Sequence, residues 1–284
     1  GSSSDSLMTL DFSNDTATLN NTTSVLLNTR SRGAAVGNYI YAYIGGGDSP
    51  SNSTSSIERY SYANGTTISS SATLYSSWSE DLSATGNLSY GYWIGGTSGG
   101  NVQRIDYSGD TTLTQVHSLN SPVRQHCSFG NNYYGYSVGG LDNSWNVTSR
   151  VERIEYANDT SSSSNVGNLD ESRKLVIGIS NGSYGWVIGG QGGPGGWSNV
   201  TSVARIDFGN DTSTALNRAA LTAYTYETGT AMGNNFYGYF QNSWSSTVQR
   251  IDYSNDTTSP IDRTATVTST RQAQSVSPAS NGFG

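Results

Sequence analysis

The feature that most constrains this chain is a phrase it repeats. Val248-Gln249-Arg250-Ile251-Asp252-Tyr253-Ser254-Asn255-Asp256-Thr257 returns as Ala204-Arg205-Ile206-Asp207-Phe208-Gly209-Asn210-Asp211-Thr212. It is also written around Arg153-Ile154-Glu155-Tyr156 and Arg104-Ile105-Asp106-Tyr107, and more loosely around Arg59-Tyr60-Ser61-Tyr62. The earliest copy, Leu10-Asp11-Phe12-Ser13-Asn14-Asp15-Thr16, carries Thr9 in place of the arginine. The five arginines are 45, 49, 52 and 45 residues apart. Periods of this size belong to arrays of four-stranded sheets, because each repeat must supply one supersecondary unit that buries its faces against its neighbours.

Two further phrases recur in every period. An approach segment runs to a Gly-Asn turn signal: Arg30 to Asn38, Trp78 to Asn87, Val123 to Asn131, Glu171 to Asn181, Ala223 to Asn234 and Arg271 to Asn281. Gly-Asn is expected to turn the chain through positive φ. An aromatic phrase follows that ends in glycines, as in Tyr90-Gly91-Tyr92-Trp93-Ile94-Gly95-Gly96 and Tyr184-Gly185-Trp186-Val187-Ile188-Gly189-Gly190, except in the fifth copy, Tyr237-Gly238-Tyr239-Phe240-Gln241-Asn242, which lacks the pair. Its internal glycine leaves room for a neighbouring ring or backbone, and the glycine pair suits a strand end crowded near an axis. In Arg104-Ile105-Asp106-Tyr107, period 2 places Arg104 and Asp106 on one face and Ile105 and Tyr107 on the other. An Arg/Asp set present in every repeat reads as an ion pair between repeats or within a turn. A Thr/Ser-rich run such as Thr111-Thr112-Leu113-Thr114 supplies a fourth strand.

Composition agrees with a folded, turn-rich β protein. Only 12% of the 284 residues are charged and 34 are glycine, yet 19 Tyr, 6 Trp and 6 Phe recur at fixed repeat positions, unlike a disordered chain. A net charge of −7 with a single lysine, Lys174, argues against nucleic acid as a partner. No apolar run approaches a membrane span, so membrane insertion is not expected. One cysteine, Cys127, excludes an internal disulfide framework.

The glycine pair closing one strand, the Ile-Asp strand and the polar turn after it resemble the kelch repeat, which builds β-propellers such as the central domain of galactose-oxidase-like proteins. The wording Val-x-Arg-Ile-Asp-Tyr-Ser-Asn-Asp-Thr with Tyr-Gly-Tyr-x-x-Gly-Gly is closer still to kelch-like repeats of marine bacteriophages, notably cyanophages. One departure is that Ala17, Thr112 and Thr258 stand where kelch blades open the fourth strand with Trp. The resemblance implies an all-β, six-bladed propeller of four-stranded blades spanning residues 1–284 as one domain. Its sixth blade would be shared by about 1–25 and 263–284, which leaves no open sheet edge.

Function is expected on the variable loops: Gly47 to Ser56, Thr97 to Asn101, Leu141 to Ser149, Gln191 to Thr201 and Gln241 to Ser246. Trp145, Trp197 and Trp244 lie there with Asp48, Asp142, Asn143, Gln191 and Asn242 nearby. Trp beside Asn, Asp and Gln suits stacking on a sugar ring or contact with a protein. No enzyme, catalytic residue, cofactor or metal is expected. His117, His126 and Cys127 fall in one repeat, but the adjacent His126 and Cys127 would point to opposite faces of a strand. Glu80-Asp81 and Asp170-Glu171 are glycosidase candidates only in being acidic and non-periodic, and they read as solvated surface. The resemblance implies a virion or extracellular protein, a tail fibre, appendage or capsid decoration that meets other virion proteins or a host receptor or glycan. The alternatives are a secreted or cell-surface glycoprotein with a carbohydrate-binding propeller, given sequons such as Asn158, Asn210 and Asn255, and a galactose-oxidase-like or glycosidase enzyme.

Overall fold

The computed structural model describes residues 4–16, 19–48, 53–75, 79–97, 99–110, 113–211, 216–221, 229–243, 245–265 and 275. Five four-stranded antiparallel sheets follow one another in sequence. The first holds Ala34–Gly37, Tyr41–Gly45, Ser56–Ser61 and Thr66–Thr73. The second holds Leu82–Gly86, Tyr90–Gly95, Asn101–Asp106 and Leu113–Ser118. The third holds Cys127–Gly130, Tyr134–Val138, Arg150–Glu155 and Ser164–Asn168. The fourth holds Ile177–Ser180, Tyr184–Ile188, Ser202–Asp207 and Leu216–Ala220. The fifth holds Thr230–Gly233, Tyr237–Gln241, Thr247–Asp252 and Ile261–Ala265. A two-stranded sheet pairs Ser4–Thr9 with Asn20–Arg30. The first strand of each sheet packs on the first strand of the next, so these strands are the inner ones. The architecture is all-β and consistent with a propeller. Thr111, Thr112 and most of the segment 266–284 lie outside the described residues, and the second sheet's fourth strand begins at Leu113.

Aromatic side chains tie each sheet to its successor. Tyr43 stacks on Tyr107 at 5.2 Å between centroids, Tyr92 on Tyr156 at 4.9 Å, Tyr136 on Phe208 at 4.7 Å and Trp186 on Tyr253 at 4.3 Å. In each pair a second-strand ring meets the ring at the end of the next sheet's third strand. Tyr239 of the fifth sheet stacks in the same way on Phe12, at 5.4 Å. Such stacks add about 0.5–1.5 kcal/mol each beyond the area they bury.

The repeat arginines make a second set of links, with partners the period-2 pattern did not identify. Arg104 bonds Asp159 at 2.7 Å, Arg153 bonds Asp211 at 2.5 Å, Arg205 bonds Asp256 at 3.1 Å and Arg59 pairs with Asp110. Each arginine therefore reaches the polar turn of the next repeat rather than the acid two residues along its own strand. Asp106 instead accepts from the Ser108 backbone N–H and fixes its own turn. A second-strand donor shares the buried carboxylate: Tyr92 hydroxyl on Asp159 at 2.7 Å, and Trp186 Nε1 on Asp256 at 2.9 Å. In the earliest copy Asp15 plays the same part, taking Arg250, Arg263 and the Tyr239 hydroxyl.

The glycines serve two different purposes. The strand-end pairs require positive φ, +67° and +89° at Gly95-Gly96 and +59° and +101° at Gly189-Gly190. The glycine before each turn asparagine does not, which corrects the expectation of positive φ there. At Gly130 a Cβ would stand 2.3 Å from the Tyr134 carbonyl oxygen and 2.9 Å from the Tyr156 hydroxyl, so space decides. The asparagine itself shapes the turn: Asn131 Oδ1 accepts from the N–H groups of Tyr133 and Tyr134. In the fourth repeat Ser180 takes the glycine's place, and its hydroxyl donates to the Gly130 carbonyl at 2.7 Å.

Candidate functional site: the loop face

The loops after the second strands are less irregular than their sequences. Three of them fold back on the approach segment of their own repeat as a small antiparallel patch. Asp48 bridges Ser31 and Ser53, Leu141 bridges Arg124 and Val147, and Gln191–Gly192 pairs with Arg173–Lys174 and with Ser198–Asn199. The approach segments bend here through one left-handed residue each, Arg32, Asp81, Gln125 and Leu175, all with φ between +54° and +57°. A chain of backbone bonds joins these four. Asp81 N–H donates to the Arg32 carbonyl, Gln125 N–H to that of Asp81, and Leu175 N–H to that of Gln125, at 2.8–3.0 Å. Left-handed backbone in non-glycine residues is costly, and here inter-repeat hydrogen bonding holds it.

The approach segments, not singled out by sequence reasoning, bring the cations to this face. Arg124 lies over the Trp145 ring at 3.5 Å and Lys174 over the Trp197 ring at 3.7 Å. Both indoles remain largely open, with Trp145 67% and Trp197 74% exposed. Cation–π contact holds each ring in place and leaves its other surface available. The two loops touch, since a Cβ on Gly196 would lie 2.4 Å from Val147. Trp145 and Trp197 therefore belong to one continuous surface. Burial pulls the Lys174 ammonium below the ordinary lysine value. A signal in the sequence does mark these partners, because Arg32, Arg124 and Lys174 are charges outside the recurring Arg-Ile-Asp phrase.

The remaining expected site residues divide. Asp48 pairs with Arg32, which also holds Glu80 at 2.7 Å and Asp81 at 3.8 Å. Asp142 is occupied by its own loop, accepting from the N–H groups of Ser144 and Asn146 at 2.8 and 2.9 Å. Asn143 is exposed at the tip of that loop. Gln191 and Asn242 each bury a side-chain carbonyl oxygen that has no hydrogen-bond partner among the described residues. Trp244 lies outside the described residues.

The acidic pairs are turned onto arginine rather than onto a cleft: Glu80 and Asp81 onto Arg32, Asp170 and Glu171 onto Arg173 at 2.7 and 3.5 Å. The histidines also have local work. His117 Nδ1 meets the Asp159 carbonyl at 2.5 Å, and His126 Nε2 meets the Ser83 hydroxyl at 2.6 Å. Burial pushes His126 down to about 3 and the Cys127 thiol up to about 12, so neither ionises near neutral pH. Among the described residues no three His, Cys, Asp or Glu gather to hold a metal ion.

No protein-family model matches the sequence, and no curated protein matches it. Among solved structures, one titled "Structure of YjhT" is similar over 81% of this chain and 84% of that chain, with a TM-score of 0.66 and 12% identity. At that identity the likeness shows the fold alone.

Proposed function

We propose that the chain is a single six-bladed, kelch-like propeller that binds rather than catalyses. In this reading it is a component of a phage particle, a tail fibre, appendage or capsid decoration, and its loop face contacts a receptor or partner protein. Support for the ring comes from the N-terminal segment. Asp15 and Phe12 take the places beside the fifth sheet that each polar turn takes beside the sheet before it. On its other side the same segment reaches the first sheet, where the Glu58 carboxylate accepts from the Leu27 and Asn28 N–H groups and pairs with Arg30. Ser275 donates to the Ala231 carbonyl at 2.5 Å, which is where the inner strand of a shared sixth blade would run.

The observation that carries the binding reading is the pair of exposed indoles, Trp145 and Trp197, each held from one side by a cation on contiguous loops. Large rigid aromatics on a fixed scaffold give contact area at little entropic cost. The test is cryo-EM of the particle together with adsorption assays on Trp145→Ala and Trp197→Ala particles. The propeller should stand on tail or capsid with this face outward, and adsorption should fall about tenfold. Wild-type adsorption by both variants would overturn the reading.

A glycoprotein reading is favoured by one observation, the exposure of the sequon residues Asn158, Asn210 and Asn255. The structure also explains their spelling, since Asp159, Asp211 and Asp256 in the middle of those triplets are the buried partners of the inter-sheet arginines. Mass spectrometry of the native protein decides: bare asparagines leave the phage reading standing, whereas glycans replace it.

A further inference from the structure

The opposite face, made of short uniform turns, carries more of the exposed large apolar side chains among the described residues. Tyr39, Ile40, Leu88, Tyr133 and Phe236 sit at the tips of the hairpins between first and second strands, with Tyr133 71% and Phe236 70% exposed. These hairpins end the first strands, which pack on one another, so in the proposed ring their tips surround the centre of the face. An acidic collar lies one strand further out. Asp106, Glu155, Asp207 and Asp252 pair in register with Tyr90, Tyr134, Tyr184 and Tyr237, next to the hairpin tips. The N–H of the residue after each acid bonds a carbonyl of the neighbouring tip, as from Tyr156 to Tyr133 and from Tyr253 to Phe236.

None of these four carboxylates has an arginine or lysine within ion-pair distance among the described residues. The nearest cations on their own strands are engaged elsewhere, Arg104, Arg153 and Arg205 by the turn aspartates of the following repeat and Arg250 by Asp15 of the earliest copy. No direct ion pair therefore neutralises the collar among the described residues.

We propose that this face docks a protein surface whose apolar centre is ringed by lysines and arginines. The apolar tips supply the desolvated contact and the collar supplies orientation. Charge decides the occupant. A second copy would oppose two acidic collars, and an anionic membrane or a nucleic acid would be repelled.

The test uses the intact chain and an amphipathic helical peptide of about five turns, with a leucine face flanked by lysines. Two control peptides replace the leucines by serine or the lysines by glutamate. Calorimetry should show binding of the first peptide alone, weakening at least about tenfold between roughly 50 and 500 mM salt. The substitutions Tyr133→Ser with Phe236→Ser, and separately Asp106→Asn with Glu155→Gln and Asp207→Asn, should each weaken it about tenfold while lowering the melting temperature by no more than about 2–4 °C. Trp145→Ala should bind as the wild type does. Equal binding of the serine peptide, no binding of the leucine–lysine peptide, or insensitivity to the face substitutions would each overturn the proposal. So would salt-promoted self-association, or vesicle binding, that is lost in Tyr133→Ser with Phe236→Ser, which would give the face to a second copy or to lipid.

Discussion

The Arg250 guanidinium donates to the Asp15 carboxylate at 2.8 Å, across 235 positions of sequence. The same bond joins Arg104 to Asp159 and Arg205 to Asp256 over 55 and 51 positions. One chemical device thus links adjacent repeats and also joins the N-terminal segment to the fifth sheet. Asp15 also takes Arg263 at 2.6 Å and the Tyr239 hydroxyl at 2.8 Å, so it receives more donors than a single ion pair would give it.

Removing that carboxylate should be costly. Asp15→Asn leaves two arginines short of their counter-charge and should destabilise by roughly 2–3 kcal/mol, less than a fully buried pair because both guanidinium groups are partly solvated. Asp106→Asn, at an exposed turn, should cost under about 1 kcal/mol. Urea denaturation of the two variants checks the contrast, and equal midpoints would contradict it.

The same site has a pH signature. The Arg263 hydrogen bond, aided by Tyr239 and Arg250 against the opposing effect of burial, holds the Asp15 carboxyl down at about 2. A carboxyl whose pKa is lower in the folded than in the unfolded chain binds fewer protons when folded. Its contribution is complete above the unfolded value near 4 and is lost as pH falls towards 2. Acid unfolding between about pH 4 and 2 should therefore be shallower in Asp15→Asn than in the wild type. Unfolding free energies at several pH values measure this, and parallel curves would show that Asp15 is not the group responsible.

Close approach between sheets can be tested at Gly185. A Cβ there would stand 2.0 Å from the Phe129 ring. Gly185→Ala should destabilise by about 1–3 kcal/mol, and Phe129→Leu should recover part of the loss in the double variant. Additive losses in a double-mutant cycle would place the cost elsewhere than in this contact.

Cys127 gives a probe of opening. Its thiol is buried and raised to about 12. Ellman's reagent at pH 8 should react with the native protein far more slowly than with the urea-unfolded chain, because both access and thiolate are lacking. Comparable rates would mean that the third sheet opens readily.

Much of the scaffold was legible in the sequence because its determinants are local and periodic. Tyr-Gly-Tyr and Arg-Ile-Asp-Tyr obey period 2, and their recurrence marks the four-stranded units without any knowledge of what they touch. The strand-end glycine pairs, such as Gly95-Gly96, likewise declare their positive φ by residue type alone. The position of Trp145 and Trp197 on variable loops was also readable.

Contacts between repeats were decided only by tertiary structure. Alternation along a strand says that Arg104 and Asp106 share a face, but it cannot say that Arg104 turns to Asp159, because that depends on how successive sheets are rotated and stacked. The same holds for Arg124 over Trp145 and Lys174 over Trp197, where approach segment and loop meet only after the chain has folded back. The exposure of the tips at Tyr133 and Phe236 likewise follows only from the fold. Their position beyond the turn asparagines, outside the inter-sheet packing, turns them into surface.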